Sequence, residues 1–155
     1  MPDELIVFFT SMTPIGELRA SVPLGLLTYD LSWQVVFVLA VIGNFLPVPV
    51  VLFLLRLTGD RLQGLQNPIG ALLRWRAGQV KRVWEPRVQR YGFWAIVLIV
   101  AIPLPFTGAW TGTLVVWALN VRTHTGLAAI ALGVVIAGGT VTGVTQAGSK
   151  LFGSA

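Results

Sequence analysis

The sequence predicts an all-α integral membrane protein built from two inverted-topology repeats. Three observations support this fold class: an apolar composition, four long apolar segments, and similar breaks in two of those segments. Of the 155 residues, 55% are hydrophobic and 11% are charged, whereas a typical soluble domain has about 25% charged residues. We therefore expect a single membrane domain, residues 1–155, made of repeat 1 (about 3–55), a linker (56–92) and repeat 2 (about 93–148).

The composition also excludes several kinds of site. The chain has no cysteine and a single histidine, His124, which rules out disulfides and thiolate metal sites. We expect no metal, no cofactor and no enzymatic activity, because no nucleophile–base pair or metal-ligand group accompanies the few polar residues. Asp3 and Glu4 stand where a signal peptide would carry positive charge, so we expect no cleaved signal.

The first apolar segment, Leu5–Leu27, is interrupted by the stretch TPIGELRASVPLG. Glu17 and Arg19 lie two residues apart in this stretch, between Pro14 and Pro23. Residues two apart do not face each other on a regular helix, and proline removes a backbone donor. A charged side chain costs roughly 2.5–3.5 kcal/mol at the bilayer centre on insertion scales. We therefore expect an irregular tip whose charges face a polar cavity.

The second and fourth segments, Trp33–Leu55 and Leu127–Ala147, contain no charged residue. Each is long enough for a transmembrane helix, which needs about 20 apolar residues. Pro47 and Pro49 should kink the second segment, because a proline inside a helix lacks the donor and crowds the preceding turn.

The fourth segment also contains a GxxxG pair, Gly139 and Gly143. Small residues at this spacing let helix backbones approach closely in lipid. The pair could pack against another helix of the same chain or form a dimer seam, and the sequence leaves both open. Two spans and two hairpins enclose little volume, so we expect a homodimer or a larger homo-oligomer.

A basic stretch, Arg56–Arg90, separates the second and third segments. It holds eight of the eleven positive charges and two negative ones, so this loop (56–90) should be cytoplasmic. Its apolar residues recur at helical spacing, which favours an amphipathic helix on the inner membrane surface, beginning at Asn67 and Pro68 and broken or kinked at Pro86. Topology accounts for the charge, and we expect no nucleic-acid partner.

The third segment, Phe93–Leu119, has a break that resembles the break of the first. Pro103 and Pro105 interrupt it, and Gly108 and Gly112 follow. If each broken segment is a re-entrant hairpin, the first enters from outside and the third from the cytoplasm, so the two halves have opposite orientations. Interrupted segments at corresponding positions of two halves indicate a transport site near the midplane. The alternative is that both segments span the membrane fully with proline kinks.

We expect the two breaks to form one substrate-binding site. Arg19 can bind an anionic group in a forked geometry, and the N-termini of the half-helices that follow the breaks favour anions. Glu17 either carries a proton during transport or has a structural role, in which it orients Arg19 or caps backbone N–H groups. Burial and the neighbouring guanidinium push the pKa of Glu17 in opposite directions, so the sequence leaves both roles open. The remaining candidates for substrate binding are Asn44, Thr107, Gly108, Trp110 and Thr111.

The stretches PIGELRASVPLG and YGFWAIVLIVAIPLPFTGAWTGTL, together with the basic helix and the chain length, resemble the small multi-drug export protein family of prokaryotes. That family is distantly similar to the DedA group of membrane proteins, which the resemblance connects with lipid carriers such as polyprenyl phosphate. The arginines of the DedA motif are missing, because Ala101 and Gly108 or Ala109 stand near their places. Arg19 is thus the only intramembrane arginine. The resemblance implies a multi-pass protein of the prokaryotic plasma membrane.

These observations predict a small secondary transporter that moves an amphipathic substrate through the lipid bilayer. Arg19 favours an anionic headgroup, such as a lipid carrier phosphate, and Glu17 offers proton coupling. A cationic drug is the alternative substrate, for which Glu17 rather than Arg19 would be indispensable. A membrane scaffold protein without transport activity is the remaining alternative.

Overall fold

The computed structural model describes residues 2–103 and 107–153, and the regular elements in these residues are all helices. The bounds are α1 Asp3–Met12, α2 Glu17–Pro23, α3 Trp33–Phe45, α4 Pro47–Gln63, α5 Pro68–Tyr91, α6 Phe93–Ala101, α7 Ala109–Ala118 and α8 Thr123–Phe152. A π-helical turn, Leu24–Thr28, extends α2. The all-α class is confirmed, and two stretches are long and apolar enough to cross a membrane, Trp33–Gln63 and Thr123–Phe152.

Both predicted breaks in the apolar segments are present. Residues 13–16 separate α1 from α2, and in the third segment α6 ends at Ala101 and α7 begins at Ala109. Thr13 holds the first bend, because its hydroxyl accepts a hydrogen bond from the backbone N–H of Gly16 (2.9 Å). Pro105, which we predicted to contribute to the second break, lies outside the described residues.

The second apolar segment continues as a helix beyond its predicted end. α3 and α4 meet at Leu46 and together form a helix of 31 residues that ends at Gln63 rather than at Leu55. The predicted end, Leu55, is the last residue before the first charged residue, Arg56. A charged residue ends an apolar run without ending a helix, since arginine is a good helix former.

The basic linker contains the predicted amphipathic helix, α5. Its N-terminus is capped as expected: Oδ1 of Asn67 accepts a hydrogen bond from the N–H of Gly70 (2.8 Å), and Pro68 occupies the first helical position. Of the break or kink predicted at Pro86, the break does not occur, because α5 continues through it to Tyr91. Packing offsets the missing donor here, since α5 contacts the hydrophobic core on both sides of the proline through Val80, Trp84 and Val88.

In the first half of the chain, α1 runs along α3 and α2 runs back beside it. Gly25, just after α2, lies against both Val7 of α1 and Val36 of α3: a β-carbon on it would be 3.0 Å from Val7 and 2.8 Å from Val36. Farther along both helices, Gly43 of α3 lies against the Ser11 side chain of α1. α1 therefore runs parallel to α3, and α2 returns towards the start of α3.

α8 runs antiparallel to α3. In the middle of the bundle, Asn44 and Ala137 line one small cavity. At the start of α3, Trp33 lines a groove together with Gln146, which is near the end of α8. The start of α3 therefore lies beside the end of α8, so the two helices run in opposite directions.

α7 ends beside the charged end of α4. Gly59 of α4 packs against the indole of Trp117, and a β-carbon there would be 2.5 Å from the nearest ring atom. The guanidinium of Arg56 donates a hydrogen bond to the carbonyl of Val121, in the connection to α8. These two contacts hold the end of α7 and the start of α8 on α4.

Candidate functional site

The two helix breaks meet inside the bundle. A cavity of about 10 Å³, room for roughly one water molecule, lies between them. Glu17 and Arg19 of the first break and Asn44 of α3 supply its polar lining, and Gly108 of the second break closes it. Four of the seven residues predicted for the site therefore line one cavity.

Glu17 caps the helix that follows the second break. Its carboxylate lies against Gly108, where a β-carbon would be 2.7 Å from Oε1, and it accepts a hydrogen bond from the backbone N–H of Trp110 in the first turn of α7. A carboxylate at a helix N-terminus satisfies donors that have no partner within the helix and favours the helix dipole. Glu17 is 7% exposed, and its own backbone is left-handed (φ 41°).

Arg19 reaches the same break from α2. Its Nη2 donates to both the carbonyl and the hydroxyl of Thr107, at 3.0 Å each. The Thr107 hydroxyl in turn donates to the carbonyl of Ile102 (2.8 Å). A guanidinium has five N–H donors, so these bonds through one nitrogen leave it the capacity for a further acceptor.

Gly108 has a backbone conformation that other residues avoid. Its φ of 119° and ψ of −168° lie in a region that is essentially restricted to glycine. The missing side chain leaves the space that the Glu17 carboxylate fills. Gly108 therefore allows the cap of α7 for two reasons. It adopts the required backbone conformation, and its lack of a side chain leaves room for the Glu17 carboxylate.

Two buried polar atoms of the predicted site have no hydrogen-bond partner in the described part of the chain: Oδ1 of Asn44, an acceptor, and Nε1 of Trp110, a donor. Asn44 is only 2% exposed. An unpaired buried polar group costs about 1–3 kcal/mol. One acceptor and one donor are thus placed near the two breaks, where a water or a bound molecule can satisfy them.

Thr111 does not line the central cavity. It lines an outer groove between α5 and α7, together with Arg76 and Gln79. Thr107 lines this groove as well, so this residue connects the outer groove to Arg19. Within the described residues there is no group of three or more His, Asp or Glu side chains that could hold a metal ion.

Sequence reasoning missed the other walls of the cavity and two buried hydroxyls. The apolar walls are Leu18, Val100, Pro103, Ala137 and Val141. Ser21 and Thr142 are buried, and their hydroxyls have no hydrogen-bond partner among the described residues. Ser21 follows Glu17 by four positions, so helical spacing would have placed both on one face of α2.

In the described residues, the fold and the site define an all-helical protein of membrane type, in which a buried carboxylate and a half-buried guanidinium of one interrupted helix contact the backbone of a second. The family model described as Putative small multi-drug export protein matches residues 17–139, and the chain belongs to that family. No curated protein and no solved structure matches the chain. The family resemblance expected from the sequence is thus confirmed. Membership indicates a membrane-located export protein and favours a transporter over an enzyme.

Proposed function

We propose that this protein is a small secondary transporter that moves an anionic amphipathic molecule across the prokaryotic inner membrane, with Glu17 as a proton carrier. The meeting of the two breaks at Glu17 and Arg19 is the observation that carries the proposal, because charged side chains at interrupted helices within the membrane are typical of transport sites. Thr107 is the partner of Arg19 in this closed arrangement. During transport, the anionic headgroup replaces Thr107 on the guanidinium.

In this proposal the two halves are inverted repeats, and backbone geometry supports the correspondence. Asp30 and Asn120, ninety positions apart, both have left-handed backbones (φ 52° and 53°). Each lies in the short connection before a long helix, and these helices begin at Trp33 and Thr123, again ninety positions apart. The same local structure therefore precedes α3 and α8.

A glycine–carbonyl packing contact also occurs in both halves, at an offset of nearly ninety positions. Gly43 of α3 lies against the carbonyl of Phe8, 2.6 Å from where a β-carbon would be, and Gly133 of α8 lies against the carbonyl of Val97 at 2.9 Å. α1 thus meets α3 in the way that α6 meets α8. This likeness supports a common origin of residues 3–55 and 93–148.

The proposed topology has the basic linker in the cytoplasm. α3 and α4 then run inward, and α8, which is antiparallel to α3, runs outward. α1 begins and α2 ends near the outer end of α3, as expected of a re-entrant hairpin that enters from outside. α7 ends beside Arg56 and Gly59 at the cytoplasmic end of α4, as expected of a hairpin that enters from the cytoplasm.

Cysteine labelling tests this topology in a chain that has no native cysteine. In intact spheroplasts, a membrane-impermeant maleimide should label Lys150→Cys but neither Arg122→Cys nor Lys81→Cys. All three should react after permeabilisation, because all three positions are exposed. Labelling of position 122 in intact spheroplasts would contradict the inverted repeat.

Transbilayer movement of a fluorescent amphiphile tests the transport function. In proteoliposomes, the protein should accelerate the movement of NBD-labelled dodecyl phosphate, measured as loss of fluorescence to external dithionite. Arg19→Gln should slow it by about tenfold or more, since a hydrogen bond to a charged group is worth about 1.5–3 kcal/mol. Arg82→Gln, on the exposed face of α5, is the matched control and should move the probe at the wild-type rate.

The alternatives give different results in the same assay. A cationic drug exporter would move an NBD-labelled dodecyl trimethylammonium probe faster than the phosphate, and Arg19 would be dispensable for it. A scaffold protein would move neither probe faster than protein-free liposomes do, and that result would refute transport.

A further inference from the structure

A further groove, distinct from the central cavity and from the outer groove between α5 and α7, opens on the side of the bundle. It is a groove of about 580 Å³ between α5 and α6, within the roughly 300–1,000 Å³ of small-molecule sites. Leu98, Ile99 and Ile102 form its α6 wall. Leu98 is 54% exposed and Ile102 is 44% exposed, so the groove is open to the surroundings of the bundle, which in a membrane are lipid.

Arg87 is the cation that lines this groove. Its guanidinium lies over the ring of Trp84, 5.0 Å from the ring centroid, and Nη1 donates to the carbonyl of Val83 (2.7 Å). Stacking and hydrogen bonding thus hold the charged group at the α5 wall, and the bond to Val83 uses one of its nitrogens. α5 carries six cationic side chains and a single carboxylate, Glu85, so the potential along this wall is positive.

Thr107 connects the groove to the central site. It lines the groove and accepts hydrogen bonds from Arg19 through its carbonyl and its hydroxyl. Thr107 therefore lies between the groove at the side of the bundle and the guanidinium of Arg19 between the two breaks.

From this arrangement we propose that the α5–α6 groove is a loading site for a single-chain anionic amphiphile, with the headgroup at Arg87 and the chain along Leu98 and Ile102. The proposal rests on the transport function proposed above and names where its substrate enters. Charge complementarity selects the occupant: a cation would meet the positive wall of α5, and a neutral chain would make no use of Arg87. From the groove, the headgroup passes Thr107 to reach Arg19.

Binding to the groove can be measured with a quencher on the chain of the ligand. Leu98→Cys carrying a bimane fluorophore is placed in phosphatidylcholine nanodiscs and titrated with brominated dodecyl phosphate, or with the trimethylammonium compound that has the same brominated chain. We expect saturable quenching by the phosphate at a concentration about tenfold lower than for the ammonium compound. Adding Arg87→Gln should raise the half-saturating phosphate concentration about tenfold, whereas adding Arg82→Gln should not change it.

Two further labels keep the test decisive. A label at Tyr91→Cys, also in the groove, should give the same preference, in case the label at position 98 itself fills the site. A label at Leu132→Cys on α8 should report only unsaturable quenching from the bilayer. Equal quenching by both compounds, no effect of Arg87→Gln, or no saturable quenching at both groove positions would overturn the loading site.

Different results would refute the loading site and the transport function. If Arg87→Gln changes neither binding nor transport while Arg19→Gln still slows transport, the loading site is wrong and the transporter remains. If the groove binds the phosphate saturably but wild-type protein moves no probe, transport is wrong and the groove remains as a binding site.

Discussion

Gly108→Ala should reduce transport of the dodecyl phosphate probe to near the level of protein-free liposomes and lower the melting temperature by several degrees. Alanine is strained at φ 119°, ψ −168°, which costs about 1–3 kcal/mol. Its β-carbon would also meet the Glu17 carboxylate, at 2.7 Å from Oε1, and would displace the cap of α7, a loss of about 0.5–2 kcal/mol. Each kcal/mol corresponds to about 2–4 °C for a soluble chain of this size.

A matched glycine and a double variant separate strain from collision. Gly148→Ala in α8 has nothing within 4 Å of the added carbon, and alanine is the better helix former, so its melting temperature should stay equal or rise slightly. Gly108→Ala combined with Glu17→Ala removes the collision but keeps the backbone strain. If Gly108→Ala lowers the melting temperature as much in the Glu17→Ala background as in the wild type, neither the collision nor the displaced cap contributes, and backbone strain accounts for the whole effect.

Glu17→Gln should separate the two roles that the sequence left open for this residue. Glutamine keeps the size and one oxygen that can accept from the N–H of Trp110, but it cannot carry a proton. We expect a melting temperature within a few degrees of the wild-type value and downhill movement of the probe. Accumulation of the probe driven by an imposed pH gradient should fall to the level without a gradient.

Glu17→Ala is the control for the Glu17→Gln variant. It removes the cap as well as the proton site, so it should lower the melting temperature, by an amount that reflects about 0.5–2 kcal/mol for the lost cap. If Glu17→Gln accumulates the probe as well as the wild type does, Glu17 is a cap only and the proton-coupling proposal is refuted.

The sequence predicted the features that depend on neighbouring residues. Proline and glycine placed both breaks, and Asn67 followed by Pro68 placed the start of α5. It also predicted that Glu17 would serve one of two roles, one of which was capping backbone N–H groups. It could not show that the capped helix is α7, because Glu17 and Trp110 are far apart in the chain and only folding brings them together.

Other features could not be predicted from the sequence, because they also depend on packing between elements. α5 continues through Pro86 because tertiary packing on both sides of it outweighs a local preference. Thr107 and Thr111 looked equivalent, and both line the outer groove, yet it is Thr107 that Arg19 contacts, a contact between residues far apart in the chain. The groove beside Arg87 depends on how α5 packs against α6, which no periodicity within either helix specifies.

The contacts at the end of α7 determine how the central site can open. Trp117 packed on Gly59 and Arg56 bound to Val121 anchor that end to α4. α7 has ten residues, so it is a lever about 15 Å long, and the cap by Glu17 holds its other end. A swing of about 10° around the anchor would carry that other end about 2.6 Å for a rod of that length. A small tilt of one short helix is therefore enough to separate the Glu17 carboxylate from the N–H of Trp110.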